Sequence, residues 1–265
     1  MRVFITACIL LLTTLSLPIR ADDDFCGGIR NTAFSQGEKL TYKVYYALAG
    51  AYVPAGEATF NTTLEKFGGK DTYHVVAEGK TFSFYDKFYR VRDRYETYID
   101  TSTLQPYKFI RDVNEGGYKT YENITFVKSA GTAVTTQGVY KVPPCIQDVL
   151  SAIFYARNIN FNHYKKNDTI PFDMFLDRKV WPLYIRYLGK ETIRTHYGKF
   201  HAIKFRPLLI KGTMFEGGEK MTVWVSDDPN HIALRVESPI TVGKVSVDMT
   251  MYHNLRYDLT SLIDL

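Results

Sequence analysis

Beyond residue 21 the sequence lacks any apolar run long enough to cross a bilayer as a helix, which takes about 20 residues. Charge of one sign is not in excess either: 33 basic residues face 28 acidic ones. They are not clustered as a nucleic-acid-binding face requires, so nucleic acid is not expected as a partner. Cysteine is scarce, at three residues, and none has a C-x-x-C or C-x-x-H neighbour of the kind that holds zinc. The six histidines, at 74, 163, 196, 201, 231 and 253, are scattered. There is no G-x-S-x-G elbow, no H-E-x-x-H, no Walker loop and no G-x-G-x-x-G after a strand. Asp227-Asp228 runs into Pro229-Asn230 and reads as a turn rather than a catalytic pair. The expectation is a non-enzymatic protein with no catalytic residues, no cofactor and no metal site.

The first 21 residues have the three-part layout of a secretory signal. Arg2 supplies the positive start, Val3 to Leu17 the apolar run, Pro18 a break, and Ala21 a small residue at the cleavage point. Ile19, at the −3 position, is bulkier than signal peptidase prefers. No lipobox precedes Cys8 or Cys26, so the mature chain is expected to be exported and soluble, without a lipid anchor or a transmembrane segment. Cleavage removes Arg2 and Arg20 from the 33 basic residues and leaves 31 against 28 acidic. It also removes Cys8. Cys26 and Cys145 then form an even pair in an oxidising compartment, where a disulfide between them is expected.

What the sequence does have is aromatic content, 20 Tyr and 17 Phe, which favours strands. From Gly37 onward the apolar residues alternate. Leu40, Tyr42, Val44 and Tyr46 share one face, as do Val245, Val247, Met249 and Met251. Glycine-bearing turns such as Asn114-Glu115-Gly116-Gly117 and Tyr197-Gly198-Lys199 join these runs as hairpins. No helix recurs between strands, which excludes a parallel βαβ layout.

One stretch breaks the rhythm. Ile146, Val149, Leu150, Ile153 and Phe154 follow a helical period and predict a helix over about 145–158. A shift of 127 residues pairs Tyr73-His74-Val75-Val76 with Phe200-His201-Ala202-Ile203, Asp100 with Asp227, and Gly116 with Gly243. This suggests two duplicated halves, about 38–128 and 168–256.

The expected fold is all-β and mainly antiparallel with one central helix, its curved sheet closing into a barrel-like or spiral body. Residues 22–36 are expected to be loosely ordered, and 37–265 to form a single β-rich domain. The strands carry more inward apolar residues than one short helix covers. Tyr42, Tyr46, Trp224, Met249 and Met251, with Ile153 and Phe154 of the helix, are therefore candidate lining for a hydrophobic ligand. Arg90, Arg92 and Arg94 lie on one strand face, either as a solvated face or as a lining for an anionic group.

Several stretches resemble the family catalogued as domain of unknown function 3108, found mainly in exported bacterial proteins. They include Cys26-Gly27-Gly28-Ile29-Arg30, Gly37-Glu38-Lys39-Leu40-Thr41-Tyr42, Arg92-Asp93-Arg94-Tyr95-Glu96, Pro143-Pro144-Cys145-Ile146-Gln147-Asp148 and Val223-Trp224-Val225-Ser226-Asp227-Asp228. The resemblance implies a Gram-negative envelope, in the periplasm, and no particular activity. The phrase from Trp224 to Arg235 is more loosely similar to periplasmic lipid and lipoprotein carriers, which fold as curved antiparallel sheets around a helix. That likeness implies binding rather than catalysis. The first expectation is a lipid or acyl chain held in the curved sheet. The second is a structural module that contacts envelope proteins, and the third is a hydrolase.

Overall fold

The computed structural model describes residues 28–48, 51–210, 217–240 and 243–265. The expected signal segment and Cys26 lie outside the described residues. Among the described residues eight strands precede the one α-helix: β1 (Lys39–Leu48), β2 (Ala51–Phe67), β3 (Lys70–Thr81), β4 (Arg92–Asp100), β5 (Pro106–Glu115), β6 (Tyr118–Val127), β7 (Thr132–Thr135) and β8 (Gly138–Lys141). The helix is α1 (Val149–Ala156). After it come β9 (Thr169–Leu176), β10 (Lys179–Arg194), β11 (Lys199–Pro207), β12 (Thr222–Ser226), β13 (Ala233–Pro239), β14 (Lys244–His253) and β15 (Leu262–Asp264).

All the described strands belong to one sheet, in the order β8-β7-β6-β5-β4-β3-β2-β1-β14-β13-β12-β11-β10-β9, with β15 added beside β11. Consecutive strands pair as antiparallel hairpins within each half, and β1 pairs β14 to join the halves. Strands β1–β6 and β9–β14 thus run as meanders in the same order. The offset of 127 residues carries Gly116, in the β5–β6 turn, onto Gly243, at the β13–β14 turn. Both have positive φ, 55° and 81°, where only glycine sits without strain.

The sheet is curled but not closed. The chain leaving β8 crosses the seam between its two edges. Val142 donates to Gly131 O at 2.9 Å on one side. On the other, Gln147 forms a single parallel bridge with Met174 of β9, through Gln147 N to Asp173 O and Phe175 N to Gln147 O, both 2.9 Å. Tyr140 of β8 and Phe126 of β6 meet the ring of Phe175 across the same seam at 5.8 and 6.2 Å. Side chains and one bridge cover what would otherwise be two exposed strand edges.

The helix is shorter than its apolar period predicts. Cys145 has φ 62° and Gln147 is engaged with β9, so helical backbone begins only at Val149. Asp148 is the N-cap: its carboxylate accepts from Leu150 N and Ser151 N, each at 2.8 Å, and Ser151 Oγ accepts from Asp148 N at 2.8 Å. This reciprocal pair satisfies amides that have no partner within the helix. The buried face is Leu150, Ser151, Ala152, Phe154 and Tyr155, whereas Ile153 is 45% exposed. Ile153 therefore points away from the packed side, contrary to the face its spacing suggested.

Residues 132–141, one continuous run in the alternation, form two short strands, and β15 was not legible at all. A bulge explains a further difference. Thr41 pairs Met251 but Tyr42 pairs Met249, so Thr250 is an extra residue. The inserted residue breaks the period of two and puts Met249 and Met251 on opposite faces. Met249 is buried and Met251 is 49% exposed.

Candidate functional site

The space enclosed by the curled sheet is occupied by protein. Leu150, Phe154 and Tyr155 of α1 pack with Val75, Ile99, Phe109, Ile124 and Phe126 from the first half, and with Ile170, Phe175, Ile185 and Ile203 from the second. Phe34, from the segment before β1, meets Phe154 edge-on at 4.8 Å and Tyr73 at 4.9 Å. This segment is anchored by side chains. Asn31 Oδ1 accepts from Ala33 N and Phe34 N, and Asn158 Oδ1 accepts from Thr32 N at 2.7 Å. Residues 28–36 are thus tied down at Ala33 and Phe34, both fully buried, where composition alone suggested loose order.

Both ends of α1 are fixed by polar groups. At its start, Thr97 Oγ1 of β4 donates to Asp148 Oδ2 at 2.6 Å. Burial pushes the Asp148 carboxyl up to about 6, against the pull of its hydrogen-bond donors. At its end, Arg157 forms a two-pronged ion pair with Glu38, described further below.

The residues expected to line a ligand site are dispersed. Tyr42 and Met249 are buried in a second cluster with Leu40, Phe200, Ala202, Ile232 and Leu234. Phe154 is in the main core, and Ile153 and Met251 are exposed. Tyr46 is half-buried. Trp224 lies on a half-buried face, its Nε1 donating to Glu191 Oε1 at 2.6 Å and its ring under Lys204 Nζ. Cys145 lies at the seam, and its expected partner Cys26 is outside the described residues.

Among the described residues two of the surface grooves stand out, and none of those candidates lines either one. The first, about 320 Å³, crosses β2–β5 and is lined by Glu57, Glu78, Lys80, Arg92, Arg94 and Asp112, among others. Its charges are largely matched within the groove: Arg94 bonds Glu78 at 2.5 Å and Glu96 at 2.8 Å, and Lys80 lies 3.6 Å from Glu57. Arg92 is held by Asp86 at 2.6 Å and by Thr81. Two of the three strand arginines are therefore spent on neighbouring acids, which makes that face a paired, solvated one. Asp93 also lines the groove, and burial and then the nearby Glu115 charge push it up to about 7, although Asn114 N donates to it at 3.0 Å.

The second groove, about 440 Å³, lies past the end of α1 and includes Asn158, Asn160, Lys190, Asp227, Asp228, His231 and Tyr257. Most of its polar atoms serve the fold. Asp228 accepts from Ser226 Oγ, Asn230 N and Ser261 N, which makes residues 227–230 the turn their sequence suggests. His231 Nδ1 donates to Arg157 O at 2.7 Å, and burial lowers its imidazole pKa. Among the described residues no group of three or more His, Cys, Asp or Glu side chains is arranged to hold a metal.

A third feature is apolar and lies at one end of the sheet. The β3–β4 connection contains a turn of 3₁₀ helix, Tyr85–Lys87. Phe84 and Phe88 flank it and are 69% and 78% exposed. Phe82 N donates to Ala55 O at 2.9 Å, and Gly116 N to Arg90 O at 2.9 Å. These bonds place the start of β2, with exposed Tyr52 and Val53, and the β5–β6 turn, with exposed Tyr118, at the same end. A Cβ on Gly116 would fall 2.2 Å from the ring of Tyr89, so the absent side chain gives that ring its seat. The alternation runs to about residue 83 and resumes at about 89, which leaves Phe84 and Phe88 in the gap between two strands. The signal available was the adjacent pairs Phe84-Tyr85 and Phe88-Tyr89, which break strict alternation beside Lys87 and Arg90.

Among solved structures, the chain is similar to a β-barrel-like protein of domain of unknown function DUF1849 from Brucella abortus. The two share 8% identity and a TM-score of 0.55, over 85% of this chain and 100% of that one. At that identity the likeness is one of fold. A protein from Bacteroides fragilis described as exported, with a YmcC-like fold, matches at 11% identity and a TM-score of 0.32, over 86% of this chain and 100% of that one. A protein from Parabacteroides distasonis described as a lipoprotein matches at 14% identity and a TM-score of 0.33, over 86% and 99%. No curated protein matches the sequence. The family model for the protein of unknown function DUF3108 matches residues 41–250, and the chain belongs to that family.

Proposed function

We propose that this is a non-enzymatic exported protein of the cell envelope that works through its outer surface, the sheet and helix forming a permanent body rather than a container. The observation that supports this is the position of α1. Leu150, Phe154 and Tyr155 fill the space that a carrier would keep open, and both helix ends are fixed by buried polar groups. A site for a drug-sized apolar guest is a mostly apolar hollow of several hundred Å³, whereas the two grooves described above are lined with charged and polar side chains. Export rests on the layout of Arg2 to Ala21, and the periplasm on the family likeness.

A fluorescent fatty acid titrated into delipidated protein separates this reading from that of a lipid carrier. No saturable signal is expected. Saturable binding that Met249→Asp weakens without unfolding the protein would overturn the surface reading in favour of an internal ligand.

A further inference from the structure

Exposed apolar residues scattered singly are ordinary on protein surfaces, but a contiguous group of large ones marks a contact. Val139, 65% exposed on β8, has only Val134 opposite it on β7, 36% exposed, and the two make a small aliphatic spot without aromatic rings. The turn between β3 and β4 is different. The rings of Phe84 and Phe88 lie 6.1 Å apart, and Phe84 meets Tyr85 edge-on at 5.2 Å. Their backbone is held by Tyr85 N to Phe82 O at 2.8 Å and Phe88 N to Tyr85 O at 2.9 Å. The two phenyl groups are thus presented by a hydrogen-bonded turn with their apolar faces in water.

The charges beside them that lack an ion-pair partner are basic, while Glu115, next to the β5–β6 turn, acts on Tyr89 and Asp93. Asp86 is neutralised by Arg92 at 2.6 Å and accepts from Thr81 Oγ1 at 2.6 Å. Lys87 and Arg90 are exposed, and neither has an ion-pair partner within 4.0 Å among the described residues. Tyr52, Tyr89 and Tyr118 ring the same end with amphipathic side chains, the residue type that settles at the boundary between headgroups and acyl chains. Apolar rings flanked by two cations outside any ion pair match the layering of an anionic bilayer, with acyl chains below and phosphates above.

We propose that this turn docks the protein on an anionic membrane surface, with Phe84 and Phe88 entering the acyl boundary and Lys87 and Arg90 meeting lipid phosphates. The proposal rests on the surface reading above and names its partner.

Flotation with vesicles tests it. The protein is expected to float with vesicles of phosphatidylglycerol and phosphatidylcholine. It should float far less with phosphatidylcholine alone, and less again as salt screens the charges. Phe84→Ser with Phe88→Ser should lower partitioning about tenfold or more, and Lys87→Glu with Arg90→Glu should abolish the preference for anionic vesicles. Val139→Ser, which removes an equally exposed apolar side chain elsewhere, should change nothing. All variants alter exposed positions, and unchanged circular dichroism and melting confirm their fold. Absence of flotation would overturn the docking, as would flotation unaffected by the double serine variant. So would self-association in sedimentation that the double serine variant removes while vesicles go unbound. Uptake of the fatty-acid probe, by contrast, would overturn the filled interior without touching these vesicle results.

Discussion

Arg157 and Glu38, 119 residues apart, face each other inside the protein as a two-pronged ion pair, with Nη1 to Oε1 at 2.6 Å and Nη2 to Oε2 at 2.8 Å. The guanidinium also donates through Nε to Asn230 O at 3.0 Å. It lies over the rings of Phe34 and Phe154 at 5.3 and 5.2 Å. One side chain thus ties the end of α1 to the start of β1 and to the turn before β13. Glu38→Ala should destabilise the protein by about 3–5 kcal/mol, because it strands a buried cation. Replacing both residues, as Glu38→Leu with Arg157→Met, should cost clearly less than that single change. Urea unfolding of the three proteins provides the comparison, and equal or greater loss in the double variant would contradict the account.

The Asp148 cap gives stability a pH dependence of unusual sign for a carboxylate. Burial raises its folded value to about 6, above the ordinary aspartate value of 3.8. The folded state therefore holds its proton more tightly than the unfolded chain does. The contribution is fully present below about pH 4 and is lost as pH rises towards 6, by up to about 3 kcal/mol. Asp148→Asn keeps an acceptor for Leu150 N and Ser151 N and cannot ionise. Relative to wild type, it should gain stability between pH 4 and pH 7. Urea midpoints that move in parallel for the two proteins would show that Asp148 does not titrate in this window.

Two glycines should respond oppositely to the same substitution. A Cβ on Gly243, at φ 81°, would lie 2.4 Å from Ala47 O, a backbone atom of the neighbouring strand. Gly243→Ala should cost about 1–3 kcal/mol through this clash and the strained angle. Gly79 has nothing within 4 Å of its Cβ position and no left-handed angle. Gly79→Ala should be neutral or slightly stabilising, since it narrows the freedom of the unfolded chain. Thermal melting of both variants decides the matter.

Cys26 and Cys145 are proposed to be joined. The bridge would close a loop of about 120 residues and stabilise the protein by up to several kcal/mol in the chain-entropy view. Intact mass without reductant should fall two hydrogens below the dithiol value. Two alkylated thiols in protein taken from its own compartment would refute it.

The fold was largely legible because alternation reports a face. Phe109, Arg111 and Val113 of β5 are buried, while Asp112 between them is exposed. What was not legible depends on contacts between distant residues. The bulge that separates Met249 from Met251 is set by pairing with β1. The start of α1 is set by Gln147 bonding to β9, and nothing near Glu38 announces Arg157. The candidate site was hidden for a different reason. A helical spacing of apolar residues says that one face is covered but not by what, so a ligand and a packed sheet read alike. Phe84 and Phe88 fall in the gap between two alternating runs, and nothing marks them there because exposure is not written in residue type.

The central claim is that α1 is a fixed part of the interior and not a plug that yields to a ligand. Amide hydrogen exchange in α1 tests this most directly, because local opening and global unfolding exchange with different free energies. The amides of Ala152 to Ala156 should fall in the slowest class, with the same opening free energy as the interior strands β3 to β5, and should be unaffected by added fatty acid. Exchange in α1 that is faster than in those strands, and that slows when fatty acid is added, would contradict it.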